Sequence, residues 1–321
     1  MTTDLAPAIH ATRPFEEDLT GRAPKWARSG GLVISRSLAA RRMRNRIATI
    51  AVSTAFALAL LPLASLLTTT VIQGLGRFDL AFFTQSMRSV VGEGGGALHA
   101  IVGTLEITGT AALISVPVGV LAAIYVAEYA RPKVSSLVLG VVDVMMGIPS
   151  IVAGLFAYAL FSLLFADAGV RSGFIGAIAL SVLMIPVVVR SSVEFLRLVP
   201  GELREASLAL GVPKWRTVTR VVVPTSFGGL TTGVILAIAR VIGETAPLLI
   251  VAGFTASMNY NPFSDRMMSL PVFVYTQYAA QGPDPVPFLE RAWAGALVLI
   301  LIVMVLNLVA RLVGRAFGRV R

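Results

Sequence analysis

Several apolar runs in this chain exceed the roughly 20 residues that a helix needs to cross a hydrocarbon core, and they constrain the fold more than any other feature. Hydrophobic residues make up 56% and charged residues 14% of the 321, with a mean hydropathy of +0.81. That is far more apolar material than a soluble core needs. A window of about 19 residues places six spans, near 47-73, 98-127, 137-165, 174-196, 225-256 and 291-313. The run from Leu137 to Phe165 holds Asp143, Gly147 and Pro149, so the expected helix there is kinked or broken. Neighbouring helices can satisfy the backbone groups that such a break frees. The expected fold is an all-α membrane protein with a basic N-terminal arm (1-46), a six-span domain (47-313) and a basic tail (314-321).

Charge orients those spans. The arm carries Arg13, Arg22, Lys25, Arg28, Arg36, Arg41, Arg42, Arg44 and Arg46, and the tail Arg311, Arg315, Arg319 and Arg321. The positive-inside rule puts both ends, with Arg131, Lys133 and the loop 197-224, in the cytoplasm. The outer loops then hold only Arg77, Arg88, Arg171, Arg266 and Arg291. The net charge of +10 therefore reads as topology and contact with the lipid bilayer. No basic stripe is interleaved with aromatics, so no nucleic-acid partner is expected. RRMRNR followed by an apolar run also resembles a signal peptide, but that run is too long for one. Residues 24-38 can form an amphipathic surface element or a disordered tail.

Several chemistries are excluded. The chain has no cysteine and two histidines, His10 and His99, so thiolate, disulfide and histidine-cluster metal sites are not expected. It has no G-x-S-x-G, H-E-x-x-H or G-x-x-x-x-G-K-[ST], so no hydrolase, zincin or P-loop ATPase site is expected. No catalytic residue, metal or cofactor is assigned to this chain.

Between the fourth and fifth spans lies EASLALGVPKWRTVTRVVVP, a polar, basic interruption from Glu205 to Pro224. Pro200 can start a helix, Gly211 can end it in a left-handed cap, Pro213 can open a second helix, and Pro224 is expected to end that one. In the second helix Trp215, Val218 and Val222 share one face, with Arg216 and Arg220 on the other. Neither helix is long enough to span. An amphipathic basic plug suggests a docking element for another protein, and a helix lying on the membrane is the plainer reading.

Two arginines, Arg190 and Arg240, fall inside spans. An arginine near mid-membrane costs about 2.5–3.5 kcal/mol on insertion scales, so it usually faces a bundle interior or a wet path. Each is followed four residues later by a carboxylate, Glu194 or Glu244, on the same helical face. These are either structural ion pairs or an oxyanion path, because a guanidinium fork matches an oxyanion and stays charged. A neighbouring carboxylate that competes for the guanidinium would assist release. Thr245 can add a hydroxyl, or bond its own backbone. Glu106 and Asp143 read as structural, and Pro117, Pro149 and Pro186 as bends.

The loop resembles the signature of ABC-importer permeases: EAA, three residues, G, nine residues, then I-x-L-P. Here it reads Glu205, Ala206, Ser207, Gly211, Val221, Val223 and Pro224, with Ser for the second Ala and Val for Ile and Leu. The segments 101-130, GIPSIVAGLF, 186-211 and ARVIGETAPLLI resemble, within that family, the A-type (PstA-like) permeases of the bacterial Pst phosphate importer. GETAPLL is the most discriminating piece. The resemblance implies a MetI-like fold and a coupling helix seated on a cytoplasmic ATPase dimer that binds ATP and Mg. It further implies a C-type permease partner, an extracytoplasmic phosphate-binding protein, and inorganic phosphate as substrate. It carries ATPase coupling to Glu205, Ala206, Ser207, Gly211, Pro213, Lys214, Trp215 and Arg216, and the phosphate pathway to Arg190 and Arg240. Another oxyanion (sulfate, molybdate, phosphonate) would suit the same arginines. A secondary anion transporter would have no use for the docking loop.

Overall fold

The computed structural model describes residues 33–166 and 169–317, and the described chain is all-helical. In order, the helices are α1 (Val33–Leu75), α2 (Leu80–Thr84), α3 (Leu98–Ile124), α4 (Pro132–Met146) and α5 (Ser150–Phe165). They continue with α6 (Gly173–Arg197), α7 (Gly201–Ala209), α8 (Lys214–Thr217), α9 (Val223–Val241), α10 (Ala246–Val251), α11 (Leu270–Ala279) and α12 (Val286–Phe317). Two π-helical segments, Tyr125–Tyr129 and Val218–Val222, extend α3 and join α8 to α9. Among the described residues five helical stretches are long and apolar enough to cross a membrane, and six if α4 and α5 count as one bent span. Most of the expected surface element at 24-38 lies outside the described residues.

Contacts divide the chain at Ser65–Leu66. The described part of the first unit is a single helix, apolar from Ile47 onward, with every side chain from Ala40 to Ser65 exposed. A helix that is apolar on all sides is the pattern of a membrane span.

The second unit is built on α3 and α6, which pack along each other in parallel. Ile107 lies beside Gly176, and the Ser181 hydroxyl reaches the Ala111 carbonyl at 3.4 Å. Further along, Gly119 approaches so closely that a Cβ there would sit 2.7 Å from Val188 Cγ1. Small residues permit this approach, and dispersion then holds the helices where lipid offers no hydrophobic drive. Around the pair, Ile107, Leu180, Met184, Val188, Ala237 and Phe273 form one buried cluster. α9 runs antiparallel to α6, with Gly229 against Phe195 and Gly233 against Ser191.

The third span is broken, one of the two forms expected of it: two helices meet at 98° across residues 147–149. Two features depart from expectation. The fifth expected span, 225-256, stops at Val241, turns through Ile242–Thr245 and resumes as the short α10. Pro247 in the first turn of α10 needs no N–H there, which is why the chain can restart a helix at that point.

Pro224, finally, does not end a helix. The helical run is continuous from Lys214 to Val241 and starts the fifth span. The π segment explains this: the Val223 N–H bonds back to the Val218 carbonyl, five residues away, and this widened turn accommodates a proline beside it.

The stretch between α10 and α12 is packed into the bundle. Met267, Met268, Leu270, Val272 and Phe273 are buried, and the Leu270 N–H donates to Thr104 Oγ1 at 2.6 Å. Arg291 is 1% exposed and pins a glycine-rich loop, donating to the Gly92 and Gly94 carbonyls at 2.6 and 3.1 Å and to Gln277 Oε1 at 2.8 Å.

Candidate functional site

The two helix breaks meet. Met145, Met146, Ile148 and Ser150 from the α4–α5 bend, Leu183 from α6, and Arg240, Val241 and Glu244 from the end of α9 line one cavity of about 190 Å³. Leu183 sits near the middle of α6, so this cavity lies at mid-depth in the bundle. α5, a 16-residue helix, begins here with Ser150, so the positive end of its dipole borders the same space.

Arg240 is exposed, Glu244 and Thr245 half-buried. The expected four-residue ion pair is absent: α9 ends at Val241, and the Glu244 N–H closes a turn on the Val241 carbonyl at 3.0 Å. Glu244 therefore leaves the helical face that carries Arg240. The two side chains share the cavity without bonding, and neither has an ion pair among the described residues. Thr245 heads α10 and makes no side-chain capping bond. Its expected place inside a helix is corrected by the break.

Arg190 lies seven residues along α6 toward the 201–217 loop, about 10 Å of helix rise from Leu183. Its Nε donates to Glu194 Oε1 at 3.1 Å, the expected pair within one helix. Its Nη1 lies 3.4 Å from Asp143 Oδ1 on α4. The sequence read Asp143 as structural, whereas the fold makes it the second partner of Arg190. Spacing could not reveal a partner on another helix. Asp143 also lines a cleft of about 650 Å³ with Ser135, Ser136 and Arg197, and Arg197 Nη2 donates to Ser135 Oγ at 3.0 Å. Side-chain exposures of 41% for Arg190, 51% for Asp143 and 65% for Glu194 leave this cluster open on one side. Glu106 is on α3 toward its other end, with Oε2 buried and without a partner among the described residues.

The loop takes the expected shape on its first side. Pro200 caps α7, and Gly211 has φ +75°, the left-handed turn that ends it. Glu205, Ala206, Pro213, Lys214, Trp215 and Arg216 are exposed. Ser207, where the motif has alanine, is buried and sits 2.8 Å from Thr217 Oγ1, joining α7 to α8. Trp215 does not share the buried side of Val218 and Val222. It is 56% exposed, with the Arg216 guanidinium 5.1 Å from its ring centre. The loop thus presents an apolar ring and two cations outward.

Known proteins resemble this chain in sequence and in fold. Residues 115–319 match the family described as "Binding-protein-dependent transport system inner membrane component". The "Phosphate transport system permease protein PstA 1" of Mycobacterium tuberculosis (strain H37Rv) is 45% identical, over 85% of this chain and 88% of its own length. The PstA permease of Yersinia pestis is 38% identical, over 85% and 90%. Among solved structures, the fold resembles the inward-facing MetNI methionine ABC transporter, with TM-score 0.54, 20% identity, and 70% of this chain and 95% of that one covered. It also resembles an amino acid ABC transporter, with TM-score 0.52, 17% identity, and 68% and 92% covered. The chain belongs to the binding-protein-dependent transport system inner membrane components, multi-pass ABC permease subunits, and among them to the PstA-type permeases.

Proposed function

We propose that this chain is the membrane-spanning half of an ATP-driven importer that carries inorganic phosphate through Arg240 and Arg190 by alternating access. The observation that carries this reading is the mid-depth cavity where two helix breaks bring Arg240, Glu244 and a helix N-terminus together. Broken helices at the midplane are a recurrent way to build an anion site inside a membrane. A guanidinium without an ion-pair partner is ready for an oxyanion, and Glu244 in the same cavity repels it. Binding there is therefore firm enough to capture and weak enough to release.

Arg190 is the second station, about 10 Å closer to the coupling loop. Its contacts to Asp143 and Glu194 are open enough for phosphate to displace one carboxylate and be displaced in turn. The remaining wall belongs to the partner permease of C type, which covers the exposed side of Arg240.

The ATPase dimer, which holds the ATP and Mg, docks on Glu205, Ala206, Gly211, Pro213, Lys214, Trp215 and Arg216. Both chain ends then lie in the cytoplasm, and the binding protein delivers phosphate at the opposite face. Because Lys214 to Val241 is one helical run, a push at the loop reaches Arg240 along a single rod. The test is uptake of labelled phosphate by the reconstituted transporter with excess unlabelled sulfate, molybdate or phosphonate. Phosphate alone should compete strongly. Preferential competition by another oxyanion would move the substrate assignment to that anion.

A further inference from the structure

The coupling loop is tied to the bundle at a point the motif does not contain. Arg204, on α7, makes four hydrogen bonds to three acceptors. Nε and Nη2 donate to Glu128 Oε1 at 3.1 and 2.8 Å. Nη1 donates to the Val199 carbonyl at 2.6 Å, and Nη2 also to the Leu196 carbonyl at 2.8 Å. A guanidinium has five N–H donors, so it is nearly saturated. Glu128 belongs to the π segment that ends α3, and its side chain is 6% exposed. The next residue, Tyr129, lies under the Lys214 ammonium, 5.2 Å from ring centre to nitrogen.

The end of α3 therefore touches both helices of the loop, and Ser207 with Thr217 closes the third side. The Leu196 carbonyl belongs to the last turn of α6, the helix that carries Arg190, and Val199 lies two residues beyond its end. A charge buried this far is held only where it is paired, and removing one partner is strongly destabilising. Ion pairs on the outside of the same loop would exchange with water.

We propose that Glu128 and Arg204 form a positioning clamp that makes the coupling loop and the ends of α3 and α6 move as one body. This rests on the reading that the ATPase docks at the loop. Without the clamp, α7 can tilt on its own when the ATPase closes, and the stroke is spent in the loop. Neither residue touches substrate.

The chain has no cysteine, so introduced pairs can be linked without background reaction within it. The whole transporter, with ATPase and loaded binding protein, is reconstituted in vesicles. ATP hydrolysed per phosphate imported is measured for wild type, Glu128→Gln and Arg204→Lys. Lysine keeps the charge and loses the fork. The expected result is a threefold or larger rise in ATP per phosphate with basal hydrolysis retained. Uptake and hydrolysis falling in proportion, or an unchanged ratio, would mean that the pair is merely structural and would overturn the proposal.

A second arm covers variants that fail to assemble. Glu128→Cys with Arg204→Cys is joined by a bis-thiosulfonate spacer after assembly of the doubly substituted protein. Linking should lower ATP per phosphate toward wild type. Linking that abolishes import would show that the contact must open in the cycle, and would reject a clamp. If wild type imports no phosphate, the substrate reading fails separately. The clamp is then judged by stimulation of hydrolysis by the binding protein, which Arg204→Lys should lose and whose retention would overturn it.

Discussion

Replacing Ser207 by alanine restores the residue that the permease signature carries at this position, yet it should weaken this protein. Ser207 Oγ and Thr217 Oγ1 are 2.8 Å apart, and both residues are buried. Ser207→Ala leaves the Thr217 hydroxyl in that space without its partner, at a cost of about 1–3 kcal/mol. Thr217→Val makes the reciprocal change. With both hydroxyls gone, the space is apolar and nearly isosteric, so the double variant should be close to wild type. The signature of the pair is thus non-additive, with a coupling of about 1–3 kcal/mol. A chain of this size shifts its melting temperature by roughly 1–2 °C per kcal/mol. Thermal melts of purified protein should show both single variants several degrees low and the double variant recovered. Unchanged melting for Ser207→Ala would refute the reasoning. It would mean that Thr217 turns back to the Pro213 carbonyl of its own turn, a bond open to any helical threonine.

Gly211→Ala meets no neighbouring atom, so its cost should come only from φ +75°. A loss of about 1 kcal/mol, smaller for Gly211→Asn, is expected in the same melts. Asp143→Asn removes one of two carboxylates beside Arg190. Phosphate should then leave that station more slowly, so maximal uptake falls while half-saturation moves to lower phosphate, read from initial uptake rates. A higher half-saturation would count against the exchange of carboxylate for anion.

The spans and the turn at Gly211 were legible because they are written in local pattern: length of apolar run, proline and glycine punctuation. The break at Ile242–Thr245 was not, because GETAPLL is apolar enough to read as helix. Its Gly243 and Pro247 signal the break only when given more weight than hydropathy. Pro224 was misjudged because a π turn that shelters a proline leaves no mark in composition. Arg190 was found from its depth and its four-residue spacing to Glu194. Its contact with Asp143, and that of Arg204 with Glu128, cross 47 and 76 residues of chain. Such pairs exist only once α3, α4 and α6 are packed. Arg240 was singled out by its depth and does line the cavity, but its expected bond to Glu244 assumed a helix that ends three residues before the glutamate.

Arg240 is the proposed mid-membrane phosphate ligand. The most direct measurement is uptake of labelled phosphate at low micromolar concentration in bacteria lacking this chain and supplying the other subunits. Wild type, Arg240→Gln and Arg240→Lys would be compared at equal amounts of assembled complex. Wild type should restore uptake, Arg240→Gln should lose at least 90% of it, and Arg240→Lys should retain an intermediate fraction, as expected of a charge without a fork. Uptake by Arg240→Gln equal to wild type would contradict the account, because phosphate would then be crossing the membrane without the cation on which the site is built.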